Sequence, residues 1–203
     1  MTLEVTLRRT AAVVLFVLAS HALAQASYQH PETKFVFPAV IGAFERTGVE
    51  RYPDARLGVK VGYVARGLGR ADIYVFDLGI AGIPAGIDSE PVRRAFTSAD
   101  SDVGEMARRG YYLDLKRMVP SDATLQLKDR TPRFRMAVYE YRIKRGESTE
   151  PVVSWLLVTG ARANFLKVRY THPASRVEDG QRELEKLLVD FFAANKEAAS
   201  GGP

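Results

Sequence analysis

The sequence has 203 residues and a formal net charge of +5, and its 46% hydrophobic and 26% charged residues are typical of one globular domain with a sizeable core. It contains no cysteine, which excludes disulfides, thiolate nucleophiles, cysteine-ligated metals and iron–sulfur clusters. The positive charge favours acidic partners only mildly and indicates no particular one.

The first predicted element is an export signal. Two adjacent arginines precede an apolar run at 11–19, and Ala22 and Ala24 then supply the A-x-A cleavage pattern. The run has the length of a signal-peptide core and is too short to span a bilayer. We therefore expect 1–24 to be a cleaved signal peptide, 25–203 to form one domain, and the protein to be periplasmic or secreted. A cut two residues later and an uncleaved anchor are the alternatives.

The next part of the chain predicts strands followed by one long helix. Pro38 divides two short β-prone pieces, and strict alternation of apolar residues predicts the hairpin that follows. Ser89 and Gly110 fit the start and the end of an amphipathic helix. The predicted elements are two short strands within 34–46, a hairpin of 57–65 and 72–78, an ordered loop at 79–87, and a helix from about 89 to 110.

The second half predicts a four-strand meander and a closing helix. The strands are expected at 111–119, 133–143, 151–159 and 163–171, with turns at Gly146 and Gly160. Residues 152–158 are apolar on both faces, so the sheet should be covered on each side there. A capping-box pattern at 175–178 predicts the start of the helix. Its apolar stripe is predicted to contain Val177, Leu184, Leu187, Leu188 and Phe191.

Together these elements predict an α+β domain, in which an antiparallel sheet carries helices on its faces as a helix/sheet/helix sandwich. The C-terminal tail is expected to fray from about residue 198.

This layout, over residues 34–195, resembles the PsbP-like fold group. That group contains an extrinsic photosystem subunit, its non-photosynthetic bacterial relatives and a eukaryotic nuclear-transport cofactor. The resemblance rests on the early hairpin, the mid-chain helix, the late strands ending at 165–170 and the terminal helix. The segments 74–79 and 83–89 are also similar to a stretch of uncharacterised exported bacterial proteins. The resemblance implies a non-catalytic accessory or binding role, although one fold hosts many functions.

No pattern in the sequence indicates catalysis, a cofactor or a metal. Outside the export signal the histidines are His30 and His172, and His172 is expected to lie in a surface turn. Ser154 lies within a predicted strand and lacks the G-x-S-x-G turn of an exposed nucleophile. Metal-ligand spacings and nucleotide-binding glycine motifs are absent. We therefore expect no enzyme, no cofactor and no metal site.

The late strands offer a candidate interaction face. If the hairpins are centred near Glu147 and Ala161, side-chain alternation places cations and aromatic rings on one face. This candidate face consists of Arg133, Arg135, Tyr139, Tyr141, Trp155, Phe165, Lys167 and Arg169. Such a surface suits an anionic partner, namely an acidic protein, an anionic lipid or an envelope polymer, and export argues against nucleic acid. The alternative is that a helix or the N-terminal segment covers the rings.

The expected function is an exported, non-catalytic accessory protein of the cell envelope that binds a partner. A carrier of a small amphipathic or anionic ligand is the alternative, and an unrecognised hydrolase is a third possibility. An apolar pocket favours the carrier, converging carboxylates favour the enzyme, and an open patch favours the accessory role.

Overall fold

A computed structural model describes residues 26–127 and 132–200, so the expected signal peptide lies outside the described residues. The described strands are β1 (Tyr28–Gln29), β2 (Val36–Phe37), β3 (Val40–Ile41), β4 (Phe44–Arg51), β5 (Val59–Ala65), β6 (Gly69–Phe76), β7 (Leu113–Arg117), β8 (Thr124–Leu125), β9 (Phe134–Arg145), β10 (Ser148–Ala161) and β11 (Asn164–Pro173). The described helices are α1 (Glu90–Arg108) and α2 (Val177–Ser200).

One large antiparallel sheet dominates the fold. Its order is β3-β4-β5-β6-β11-β10-β9-β7, and β8 also pairs with β9, while β1 and β2 form a separate pair. The sheet therefore consists of two meanders that join where β6 pairs with β11. The predicted α+β class, the early hairpin and the late meander are confirmed. The two short strands predicted within 34–46 correspond to β2, β3 and the start of β4, whereas the rest of β4 and the short strands β1 and β8 were not predicted.

Residues with a left-handed backbone conformation form the turns between the long strands. Gly67, with φ of +70°, and Gly146, with φ of +62°, lie in two of these turns. The third turn was predicted at Gly160, but β10 continues through this residue and turns after Ala161. Gly160 is instead a point of close approach, because a Cβ there would lie 2.0 Å from the carbonyl oxygen of Pro84.

Helix α1 begins and ends close to its predicted limits. Pro91 occupies its first turn, where a missing backbone N–H costs no hydrogen bond. Gly110 follows the helix with φ of +77°, which suits a helix stop. The apolar side of the helix is buried against the sheet through Val92, Ala95, Phe96 and Val103.

Helix α2 starts at Val177, after a 3-10 turn over Ala174–Arg176 that contains the expected capping serine. Val177 is 48% exposed, so its place in the predicted stripe is wrong, whereas the other four predicted residues are buried. The helix extends to Ser200, and residues 201–203 lie outside the described residues. Neither described helix combines the length and the apolarity needed to cross a membrane.

The two helices lie on opposite faces of the sheet. Alternation along β10 separates the cores, because Leu157 belongs to the core that contains α2, whereas Leu156 and Val158 belong to the core that contains α1. The prediction that both faces of this strand are covered is therefore correct. On β5, Val59 to Ala65 alternate into the α2 core as predicted, but Leu57 lies in a 3-10 turn and is exposed.

The loop at 79–87 lies against the hairpin of β10 and β11. Ile83 and Ile87 are buried, and Gly86 exchanges two backbone hydrogen bonds of 2.9 Å with Gly160. Ile80 is exposed, contrary to the expectation that it helps to pack the loop. These contacts fix the backbone that leads into α1.

Candidate functional site

Helix α1 covers only part of the sheet face on which it lies. It packs over β7, β9 and β10, while β6 and β11 direct polar residues to the same face beside it. The register places Lys167 opposite Tyr74 and Arg169 opposite Asp72. A cleft therefore lies between α1 and these two strands, and we call it the α1 cleft.

Two adjoining cavities of about 250 and 270 Å³ make up the α1 cleft. Both are lined by Tyr74, Ala99, Asp102 and Lys167, so they lie side by side. The polar and aromatic lining residues are Tyr52, Arg70, Asp72, Tyr74, Phe76, Ser98, Asp102, Tyr112, Tyr141, Lys167, Arg169 and Thr171.

Lys167 lies at the centre of this cleft. Its Nζ is 4.1 Å from the centroid of the Tyr74 ring and 5.5 Å from that of Phe76. Among the described residues it makes no ion pair with a carboxylate. Burial lowers the pKa of Lys167, the neighbouring Arg169 lowers it further, and nearby carboxylates oppose the shift. The ammonium group therefore lies against two aromatic rings, and Asp102 and Asp72 stabilise its charge from beyond ion-pair distance.

Arg169 is held in place by hydroxyl groups. Its Nη2 donates to Ser154 Oγ at 3.0 Å, and this oxygen lies 2.9 Å from Thr171 Oγ1. Tyr112 and Tyr141 stack beside it with ring centroids 4.2 Å apart. Burial raises the pKa of Tyr112, and Tyr141 raises it further, whereas Arg169 opposes the rise. These contacts fix the guanidinium group without neutralising it.

The acidic residues of the cleft form no ion pair with Lys167 or Arg169. Asp72 pairs with Arg70 at 3.0 Å, and Asp102 of α1 lines the cleft beyond ion-pair distance of Lys167. Three cations and two carboxylates therefore line the cleft, with Arg70 and Asp72 paired to each other. The cleft is thus a partly enclosed site with an excess of positive charge, a setting that attracts a carboxylate or a phosphate group.

The histidines lie outside this cleft. His172 is only 1% exposed on β11, so the prediction that it lies in a surface turn is wrong. Its Nδ1 donates to the carbonyl oxygen of Pro173 at 2.9 Å, and burial lowers its pKa. His30 is also buried. Within residues 26–127 and 132–200, no three histidine or acidic side chains are grouped as metal ligands.

The registers of the late hairpins differ from the predicted ones. Tyr139 pairs with Ser154 rather than with Trp155, and Trp155 pairs with Tyr170 rather than with Lys167. These shifts are odd, so the residues of β9 and β11 still share a face while Trp155 lies on the opposite one. Trp155 is half-buried beside the α2 core. Its predicted place on the face that carries Lys167 is wrong.

The aromatic residues of the predicted face are mostly covered. Tyr139 and Tyr141 are 3% exposed beneath α1, and the Tyr139 hydroxyl bonds to Asp100 of that helix. Phe165 is fully buried against Phe76. The alternative, in which a helix covers the rings of the candidate face, therefore applies to these residues. Tyr141 nevertheless lines the cleft.

Arg133 and Arg135, around the start of β9, contact the segment before α1 and do not line the cleft. Arg133 pairs with Asp88 at 2.7 Å, and the Arg135 Nε donates to the carbonyl oxygen of Ile87 at 3.0 Å. Of the eight predicted residues, the structure brings only three into the cleft lining, namely Tyr141, Lys167 and Arg169.

Sequence reasoning missed the half of the site that lies on β6. Arg70, Asp72 and Tyr74 alternate with the buried Ala71 and Ile73, so they share the face of the cleft. This alternation was visible in the sequence, but the adjacency of β6 to β11 was not, because it joins the two meanders over a long stretch of chain.

A comparison of this sequence with models of known protein families found no matching family. A comparison with curated proteins found no match either.

Proposed function

We propose that this protein is an exported, non-catalytic binding protein whose α1 cleft accepts the anionic group of a ligand or partner. The observation that carries the proposal is the pair of cations Lys167 and Arg169, which lie inside a cleft without a carboxylate partner. The pattern at 1–24 supports the export part of the proposal. This proposal retains the binding function expected from the sequence. Of the two expected kinds of binding protein it favours the carrier, because the cations lie in a cleft and not on an open patch.

The electrostatic reason is the proximity of two like charges in a partly dry site. Lys167 and Arg169 are two residues apart on one strand, so their backbones are separated by about 7 Å. Each lowers the stability of the other in the charged form, and an anion between them converts this repulsion into two attractions. The enclosing rings reduce solvent screening, which strengthens the attraction.

The polar groups of the cleft suit recognition better than acid or base chemistry. Asp72 is held by Arg70, and the hydroxyl groups of Ser154 and Thr171 support Arg169. These contacts orient fixed donors toward the cleft. The PsbP-like resemblance stays a prediction, and it agrees in general form with a large antiparallel sheet that has a helix on each face.

Phenyl phosphate and benzoate are suitable probes, because each joins an anionic group to a ring that can stack on tyrosine. Titration calorimetry of the wild type should give measurable binding that weakens as salt concentration rises. The double variant Lys167→Gln, Arg169→Gln should lose about tenfold or more in affinity, since charge-assisted hydrogen bonds are among the strongest polar contacts.

The matched control is the double variant Lys116→Gln, Lys144→Gln, which removes the same charge from exposed positions outside the cleft. It should bind the probes as the wild type does. Equal weakening in both double variants would reduce the effect to net charge. Wild-type affinity in a folded Lys167→Gln, Arg169→Gln protein would refute the proposed site.

A further inference from the structure

A third cavity continues the α1 cleft across the same sheet face. It has a volume of about 510 Å³ and lies beyond the end of α1. Its apolar lining comes from Val64, Ile143, Val152 and Pro173, on four different strands. We call it the sheet groove.

The sheet groove adjoins the α1 cleft. Arg70, Tyr141 and Thr171 line both of them. Along β11, Thr171 lies four residues from Lys167, which corresponds to about 13 Å of extended strand. The two spaces therefore follow one another along the strand direction of β11.

The chemistry changes along this length. The α1 cleft presents the cations Lys167 and Arg169, whereas the middle of the sheet groove is apolar. At the far end Arg145 pairs with Glu150 at 3.2 Å, and the exposed Arg66 on the turn between β5 and β6 also lines the groove. A site with two adjacent cations at one end and a mainly apolar wall beyond them fits a molecule with an anionic head and an apolar tail.

From this geometry we infer that the ligand of the cleft is an elongated single-chain amphipathic anion, whose head contacts Lys167 and Arg169 and whose tail lies in the sheet groove. The inference rests on the proposed function, because it uses the same two cations. It adds the class of ligand and the direction in which the ligand lies.

A series of straight-chain carboxylates tests this inference. Butanoate, hexanoate, octanoate and decanoate share one head and differ only in tail length. Full burial of a CH₂ group strengthens binding about fourfold, and a groove open on one side should give about twofold for each added CH₂. Affinities measured by calorimetry should therefore rise through the series and level off once the tail reaches the Arg145–Glu150 pair.

Variants of the apolar wall test the binding of the ligand's tail independently of the binding of its head. Val64→Trp fills the sheet groove and should remove the dependence on chain length while leaving phenyl phosphate binding unchanged. Ile143→Thr is a gentler second variant and should reduce the gain per CH₂. Val49→Trp places the same ring on the opposite sheet face at a 37% exposed position, and it should leave the series as in the wild type.

The outcomes distinguish this inference from the proposed function. Binding of phenyl phosphate with equal affinities for butanoate and decanoate would overturn the inference and leave the anion site intact. A chain-length dependence that survives Val64→Trp and Ile143→Thr would also overturn it, because the tail would then lie elsewhere. Failure of every anion to bind would refute both.

Discussion

Helix α2 approaches the sheet closely where Gly180 lies against the ring of His172. A Cβ added at Gly180 would lie 2.5 Å from the ring atoms Cγ and Cδ2 and 2.6 Å from Cε1. The ring cannot easily move away, because His172 is 1% exposed and stacks near Tyr170 with centroids 5.4 Å apart. We therefore expect Gly180→Ala to destabilise the protein, although alanine is the better helix former.

The sign of this change in the free energy of unfolding follows from two opposing contributions. Replacing a helical glycine by alanine stabilises a helix by about 1 kcal/mol. Forcing a rigid buried ring to shift corresponds to the upper range of overpacking, about 3 kcal/mol. The net loss in the free energy of unfolding is therefore about 2 kcal/mol. Gly104 of α1 is the matched control, because its nearest atom is the flexible Arg108 Nη1 at 3.7 Å. Gly104→Ala should gain about 1 kcal/mol.

Urea denaturation followed by circular dichroism measures both changes. A loss of about 2 kcal/mol corresponds to a fall in Tm of roughly 4–8 °C for a domain of this size. The double variant Gly180→Ala, His172→Ala tests the cause, because removal of the ring should make the glycine replacement neutral or favourable. If Gly180→Ala is as stable as the wild type, or if the two replacements are additive, the packing argument is wrong.

Other consequences of the structure can be measured in the same assay. Lys167→Met should raise the free energy of unfolding at pH 7 by about 1 kcal/mol, because it removes a desolvated charge. Burial lowers the pKa of Lys167 in the folded protein below the ordinary value of 10.5, so the wild type gains stability as the pH rises from the folded to the unfolded pKa. The difference in stability between Lys167→Met and the wild type should therefore shrink toward pH 10. Gly160→Ala should cost about 3 kcal/mol, because its Cβ would meet the Pro84 carbonyl oxygen at 2.0 Å. Arg117→Gln should lower the free energy of unfolding by about 1–2 kcal/mol, because it breaks a half-buried pair with Asp100 at 2.7 and 2.8 Å. For each of these variants, a denaturation midpoint equal to that of the wild type would contradict the stated cause.

The sequence predicted most of the elements because their signals are local. Alternation over 57–65 and helical spacing after Ser89 each depend on neighbouring residues. The helix occurs where expected, and the strand does so from Val59 onward. The short strands β1 and β8 pair over only two residues each, so they leave almost no periodic signal. Their pairing is decided by tertiary contacts, which local patterns do not contain.

The candidate site was harder to predict because it depends on register and on coverage. A shift by an odd number of residues moves every side chain of a strand to the other face, which is why Trp155 was misplaced. The sequence also does not state which strands α1 covers. The position of α1 on the sheet determines that Tyr139 is buried and that Lys167 is accessible from the cleft.

The position of α1 itself explains why a cleft exists. Strand β10 is apolar on both faces, and burial of Leu156 and Val158 fixes the helix over this side of the sheet. On β6 the same face carries Asp72 and Tyr74, which offer the helix little apolar surface to bury. Helix α1 therefore packs over β10, and the cations of β11 lie beside the helix. Two adjacent unpaired cations reduce the stability of the sheet, and a hydrophobic pair would pack at least as well. The proposed anion site accounts for this loss, since an anion bound in the cleft would return the stability that the two cations remove.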